Sequence, residues 1–332
     1  MQKRNINRVQ DFLENSKYNN EKFRNNPNLS ELNNPLKLNV NNDFLINDSV
    51  NEYVSKNSNS IENQLIKIDN LLKHISVKEK SPEIAFAISL KSKKSSRNWK
   101  RVEKNLSKTL KTIFNNTDQN YRVIIAGHKK PDIEELLHEK VTWIRVKFAP
   151  PKSPKGFFWD KIRKRKVIGT YLRKIGYSGY FMPVDADDWI HYKFVEYIRS
   201  CPISDAYIFN KGFMVNIFKK ELWMRSRFYG GCGTSQVFYF RNEEFPLTTK
   251  KTDIRKSNFR VVIKHHGRVL KHLRNMKKNY SLVNIPLLTW VLGHGDNNTM
   301  ILKKKNNDVS AKNYNTEGVE LSECFYSYFK TK

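Results

Sequence analysis

Asp160–His191 reads DKIRKRKVIGTYLRKIGYSGYFMPVDADDWIH. The first part is strongly basic, yet Ile168, Tyr171, Leu172 and Ile175 recur at helical spacing, which predicts an amphipathic helix over Phe158–Ile175. Tyr180–Val184 (YFMPV) is a short apolar run suited to a buried strand. That strand runs straight into Asp185-Ala186-Asp187-Asp188. A basic helix, a buried strand and a tight acidic loop, in this order, decide how the flanking chain is read.

Upstream the same alternation repeats. Glu83–Leu90 (EIAFAISL) predicts a first buried strand, and Trp99, Val102, Leu106, Leu110, Ile113 and Phe114 line one face of a helix. Tyr121–Ala126 (YRVIIA) predicts a second strand, ended by Gly127 and His128. Pro131–His138 suits a short helix, with proline near its start and acids in its first turn. Val141–Phe148 predicts a third strand, followed by a Pro-rich loop. Strands alternating with helices imply an α/β fold, a mostly parallel sheet flanked by helices. Such sheets bind ligands outside the carboxyl ends of their strands. The DADD tetrapeptide falls at such an end.

Clustered carboxylates on one loop repel one another and are most easily tolerated with a divalent cation or with full solvation. Hard oxygen ligands suit Mn²⁺ or Mg²⁺. Asp185 and Asp187 can converge on one ion if the loop turns. Asp188, followed by Trp189, is a candidate cap for the helix that includes Phe194–Ile198. In the basic helix, Lys161 and Arg165 are four apart and share a face, a spacing suited to holding phosphate.

The whole chain has 332 residues, with 61 Lys plus Arg against 32 Asp plus Glu and a formal net charge of +29. Residues 1–80 are nearly neutral, so the excess lies in 81–332. Val141–Met182 and Lys250–Tyr280 each hold 11 basic residues and one acid. Such stretches attract phosphorylated small molecules, anionic membrane or nucleic acid. No nucleic-acid-binding phrase accompanies them, and the aromatic residues fall in core patterns, which disfavours nucleic acid as partner. No apolar run approaches the roughly 20 residues of a membrane span. Cys201, Cys232 and Cys324 are too few and too scattered for a disulfide framework or zinc knuckle. With no secretory signal at the start, a cytoplasmic protein with reduced thiols is expected, with peripheral contact to an anionic membrane left open.

The stretches IAFAISLKSKKSSRNWKRVEKNLSKTLKTIFNNTDQNYRVIIAGH and DKIRKRKVIGTYLRKIGYSGYFMPVDADDWIH resemble the nucleotide-binding half of a family 2-type glycosyltransferase of the GT-A fold. The resemblance extends over about Glu83–Asn298. It implies a Rossmann-like sheet and transfer of a sugar from a nucleotide-diphosphate donor to a glycan, lipid-linked or protein acceptor. It further implies a divalent metal held by the DxD motif. Donor contacts would fall to Leu90, Lys161, Arg165, Asp185 and Asp187. In the resembled fold a later histidine often returns to the metal, and His294, in Gly293-His294-Gly295, has that chain position; His266 is the alternative. The region after the DxD carries the acceptor loop, which points to Thr234 and Ser235. An inverting reaction needs a carboxylate base, for which Glu243, Glu244 and Asp253 are candidates. One departure is plain: where many members carry an acidic pair after the second strand, this chain reads Gly127-His128-Lys129-Lys130.

The expected organisation has three parts. Residues 1–80 form an Asn-rich, largely irregular extension with an amphipathic helix over 60–75, whose seam is Ile61, Leu65, Ile68, Leu72 and Ile75. Residues 81–302 form the transferase domain. Residues 303–332 form a basic and aromatic tail, read either as a docking segment or as a terminal helix. Two other readings remain at this stage: a nucleic-acid-binding protein using its basic surface, and an inactive scaffold of the same fold.

Overall fold

The computed structural model describes residues 61–77, 81–297 and 309–331, which belong to one compact unit. The expected irregular chain over 1–60 and the boundary at 302 lie outside these residues.

The main sheet has seven strands in the order β3-β2-β1-β4-β8-β5-β9. They are β1 (Ile84–Ser89), β2 (Tyr121–Gly127), β3 (Val141–Arg145), β4 (Gly179–Val184), β5 (Ala206–Phe209), β8 (Gln236–Phe240) and β9 (Tyr280–Val283). Strands β3, β2, β1 and β4 are mutually parallel, β8 runs antiparallel to both β4 and β5, and β9 is parallel to β5. The expected α/β class, a mostly parallel sheet flanked by helices, is what the chain forms.

Period-two alternation assigns the two faces. From β1, Ile84, Phe86 and Ile88 point one way, into the face covered by helix α2 (Trp99–Phe114) through Val102, Leu106, Leu110 and Ile113. Helix α4 (Phe194–Ser200) adds Phe194, Val195 and Ile198 to that face. Ala85 and Ala87 point the other way, toward Ile168 and Leu172 of helix α3 (Phe157–Lys174). Small residues on this face let the helix lie close. Helices α5 (Lys251–Lys256) and α6 (Val269–Asn275) complete it with Ile254, Val269 and Leu273. Asn98 caps α2 by accepting from the Arg101 amide at 3.0 Å.

A second, four-stranded sheet has the order β10-β6-β7-β11, from β6 (Lys211–Asn216), β7 (Glu221–Ser226), β10 (Thr289–Leu292) and β11 (Val319–Glu320). Asn210 passes the chain from β5 to β6, from one sheet to the other, its amide donating to the Val283 carbonyl and its carbonyl accepting from the Phe228 amide.

Local departures from the sequence reading are small. Pro131–His138 forms a single 3₁₀ turn, Glu134–Leu137, and β3 stops at Arg145. Ile175, expected on the apolar face, is exposed just past the end of α3. Helix α1 (Ile61–Leu72) buries Leu65, Ile68 and Leu72 on the domain. The aromatic run near the end forms helix α7 (Glu323–Phe329), with Phe325, Tyr328 and Phe329 buried. It packs against α1. Among the described residues no helix is long and apolar enough to cross a membrane. Among the described residues the three cysteines form no disulfide.

Candidate functional site

Strand β1 pairs with β2 on one side and β4 on the other, so the chain order reverses across β1 and β4. Connections leave the two strands in opposite directions and open a crevice at their carboxyl ends. A cavity of about 220 Å³ lies there. Ser89 and Lys91 line it after β1, and Asp185, Ala186 and Asp187 line it after β4. Asp160 and Lys161 enter from the first turns of α3, Gly231 and Gly233 from the loop before β8, and Trp290, His294, Asp296 and Asn297 from β10 and the loop after it.

Each acid of the DADD loop meets a different partner. Lys161 Nζ forms an ion pair with Asp185. Burial raises the Asp185 carboxyl, but the charges of Lys161 and Arg165 outweigh it and hold the group below the usual range. Asp187 Oδ2 lies 2.7 Å from His294 Nε2 and accepts from Asn297 Nδ2 at 3.2 Å. Asp188 is fully buried. It accepts from the Val291 amide at 3.1 Å and from the Thr234 hydroxyl. Burial, then the negative charges of Asp187 and Asp185, push its carboxyl well above the usual range. The expectation that Asp188 caps the next helix is corrected: α4 starts at Phe194 after Lys193, while Asp188 ties β4 to β10 instead.

The helix that carries Lys161 is locked by a second charge pair. Lys164, with no exposed surface, is ion-paired to Asp160 one turn earlier and donates to the Leu90 carbonyl at 2.6 Å. Leu90 itself is buried behind the cavity-lining Ser89 and Lys91. Arg165 does not reach the cavity. It is buried one turn beyond Lys161 and donates to the Val262 carbonyl at 3.2 Å. It acts on Asp185 through its charge.

Thr234 and Ser235 are also repositioned. Both are fully buried, and their hydroxyls are committed to Asp188 and to the Cys232 carbonyl. Thr234 Oγ1 further accepts from the Asp185 amide at 3.0 Å. Thr234 therefore shapes the DADD loop, and neither hydroxyl faces an acceptor. The glycines before them do reach the cavity. A Cβ at Gly233 would lie 3.1 Å from both Asp185 Oδ2 and Lys161 Nζ.

The three carboxylates considered as a base lie elsewhere, and none lines the cavity. Glu243 is paired with Arg241 at 3.1 Å. Glu244 is held by Lys278 at 3.1 Å and by Asn258. Asp253 is half-buried in the first turn of α5 and accepts from Thr248.

Several site residues were not singled out in the sequence. Asp296 forms an ion pair with Lys91 at 2.9 Å, closing the loop after β10 over the end of β1. Asn297 joins Asp187, His294 and the Val291 carbonyl. The signal was present: Gly293-His294-Gly295-Asp296-Asn297 puts polar residues directly after a strand, with two glycines at φ +79 and +80 that allow the tight turn. His266 also lines the cavity; burial, then His265 and Lys161, push its imidazole down to about 3, so it is neutral.

The donor chemistry of Asp185, Asp187 and His294, all in one cavity, fits a hard divalent cation. The buried Asn297 Oδ1, with no hydrogen-bond partner, adds an oxygen beside them. Among the described residues no three His, Cys, Asp or Glu side chains converge as a metal cluster. Asp185 is engaged by Lys161 and Asp187 by His294, so these contacts must exchange before a cation could be shared.

No family model matches the chain, and no curated protein matches it. Among solved structures, the chain is similar to a protein from Desulfovibrio desulfuricans G20 described as "putative nucleotide-diphospho-sugar transferase". The identity is 10%, the match covers 73% of this chain and 90% of that one, and the TM-score is 0.31.

Proposed function

We propose that this protein is a glycosyltransferase of the GT-A type, taking a sugar from a nucleotide-diphosphate donor. The observation that carries the reading is the meeting of Lys161 with Asp185 and of His294 with Asp187 in one cavity at the carboxyl ends of β1 and β4. A diphosphate needs positive charge as it departs, and this cavity offers Lys161 and Lys91. Asp185, Asp187 and His294 would hold Mn²⁺ or Mg²⁺, which would supply Lewis-acid neutralisation of the leaving diphosphate. Lys161 would turn from Asp185 to the diphosphate as donor binds. Asp188 and Thr234 hold the loop in shape while this exchange occurs. Asp296 keeps Lys91 at the cavity edge.

The test is thermal stabilisation by UDP-, GDP-, CDP- and dTDP-sugars, each with and without Mn²⁺. Stabilisation by one nucleotide series, larger with Mn²⁺, is the expected result. No response to any donor, together with tight and salt-sensitive RNA or DNA binding, would replace this reading by the nucleic-acid one.

A further inference from the structure

Several buried or half-buried cations in this fold have an acid beside them. Arg122 has Glu83, Arg199 has Asp118, and Lys278 has Asp205. Arg225 of β7 does not. Its guanidinium packs over the Trp290 ring, 5.4 Å from the centroid, and over the Tyr314 ring at 4.8 Å. Its hydrogen-bond contact is to Met214 Sδ at 3.7 Å, a weak acceptor. Among the described residues it has no ion-pair partner. Burial works against its charge, and the groups that act on it electrostatically are Tyr314 and Cys232, neither a carboxylate. A desolvated cation without a counter-ion is costly, and a guanidinium does not escape the cost by deprotonating.

Arg225 is not itself among the residues lining the cavity, but two of its neighbours, Trp290 and Gly231, are. A Cβ on Gly231 would collide with the Arg225 guanidinium and come within 2.6 Å of Trp290. The glycine thus lets the guanidinium stand directly behind the wall formed by Gly231 and Trp290. Gly233, two residues on, touches the Asp185–Lys161 pair. One short loop, Gly231 to Gly233, therefore joins the Arg225 side of the wall to the Asp185–Lys161 pair.

We propose that Arg225, beside Trp290, is a subsite for an anionic substituent on the acceptor, a carboxylate or a phosphate carried on a sugar. The guanidinium fork matches either oxyanion, and the indole supplies an apolar surface for the ring that bears it. This rests on the transferase reading, because it treats the cavity as the place where donor and acceptor meet. It also gives the basic composition a specific use.

The test is ligand-observed NMR titration of the full chain with glucuronate, glucose 6-phosphate and neutral glucose, in the presence of Mn²⁺ and the nucleoside diphosphate that stabilises best. The expected result is that at least one anionic sugar binds about tenfold or more tightly than glucose, and that Arg225→Gln removes the difference. The preference between glucuronate and the phosphate tells which anion is carried. Arg225→Lys keeps the charge but not the fork, and is expected to bind anions more weakly than wild type. It carries the test if the glutamine variant does not fold. Equal binding of all three sugars, or full anion preference in the folded variants, overturns the proposal. Wild-type nucleotide binding in the same samples reports on the transferase reading separately. If nucleotide binds and no anion preference is seen, only the subsite falls; if neither binds, both fall.

Discussion

Lys161 on helix α3 is ion-paired to Asp185 at the end of strand β4, so one cation spans the two elements that frame the cavity. The pair places Lys161 in competition with any metal for the same carboxylate. Replacing Lys161 by Met is expected to tighten Mn²⁺ binding in the absence of nucleotide, because Asp185 is released. The same variant is expected to bind nucleoside diphosphate more weakly, since a phosphate partner is lost. Calorimetric titrations of Mn²⁺ and of nucleotide would show the two affinities moving in opposite directions. Both moving together would mean that Lys161 does not act through Asp185.

Asp187 has His294 and Asn297 as its hydrogen-bond partners. Asp187→Ala is expected to lower turnover of the stabilising sugar nucleotide by about a hundredfold or more, the scale seen when a preorganised electrostatic group is removed. It should also abolish the Mn²⁺-dependent part of donor stabilisation. Release of nucleoside diphosphate, followed by coupled assay, measures the first effect. Full turnover in this variant would exclude Asp187 from the site chemistry.

The raised carboxyl of Asp188 makes stability depend on pH with a definite sign. Burial and its two acidic neighbours favour the protonated form in the folded chain. The folded state therefore holds a proton that the unfolded state releases near pH 3.9, the ordinary value for aspartate. This contribution is fully present below about pH 4 and is lost as pH rises through the folded value. Asp188→Asn mimics the protonated group, so its stability relative to wild type should increase from about pH 4 toward neutrality. Urea unfolding of both proteins across that range checks the slope.

Gly169 lies in the middle of helix α3, facing Phe259. A Cβ there would meet the Phe259 ring at 2.7 Å, and that ring is buried among Phe181, Phe240 and Phe245. Alanine would gain about 1 kcal/mol in helix propensity. Overpacking costs about 1–3 kcal/mol. Gly169→Ala is accordingly expected to be destabilising on balance, by up to about 2 kcal/mol. A raised denaturation midpoint would show that Phe259 moves aside freely.

Phe325 is fully buried in helix α7, its ring 5.2 Å from Phe213 and 6.4 Å from Trp189. Phe325→Ala is expected to cost about 3–5 kcal/mol. Because Trp189 follows Asp188 directly, nucleotide affinity should fall along with the unfolding midpoint. Chemical denaturation and nucleotide titration on the same variant would separate the two effects.

Much of this architecture was legible in the chain because strands and helices of a parallel sheet carry strong local patterns. EIAFAISL and YRVIIA are continuous apolar runs, and the α2 residues repeat at three and four. DADD could be placed at the end of a strand for the same reason. What failed to be legible depended on direction and depth. Lys161 and Arg165 share a helix face by spacing, but α3 sinks between the sheet and Phe259, so the turn holding Arg165 is buried while the turn holding Lys161 opens on the cavity. Thr234 and Ser235 look like exposed loop polars, yet the glycines before them fold the loop inward. Their hydroxyls then serve buried groups. The Lys91–Asp296 pair joins residues 205 apart in sequence, and no local pattern announces such a contact.

Helix α1 and helix α7 cover one another at the edge of the domain although 61–72 and 323–329 stand at opposite ends of the described chain. Tyr192 adds a hydroxyl bond to Asp69 from the same region. During synthesis the apolar seam of Leu65, Ile68 and Leu72 is made well before its partner helix. Closure must therefore wait until the stretch between them has been made, an interval of roughly tens of seconds at typical elongation rates. Over that interval the seam is a surface for a chaperone to hold, and arrival of the aromatic helix is the step that completes its cover.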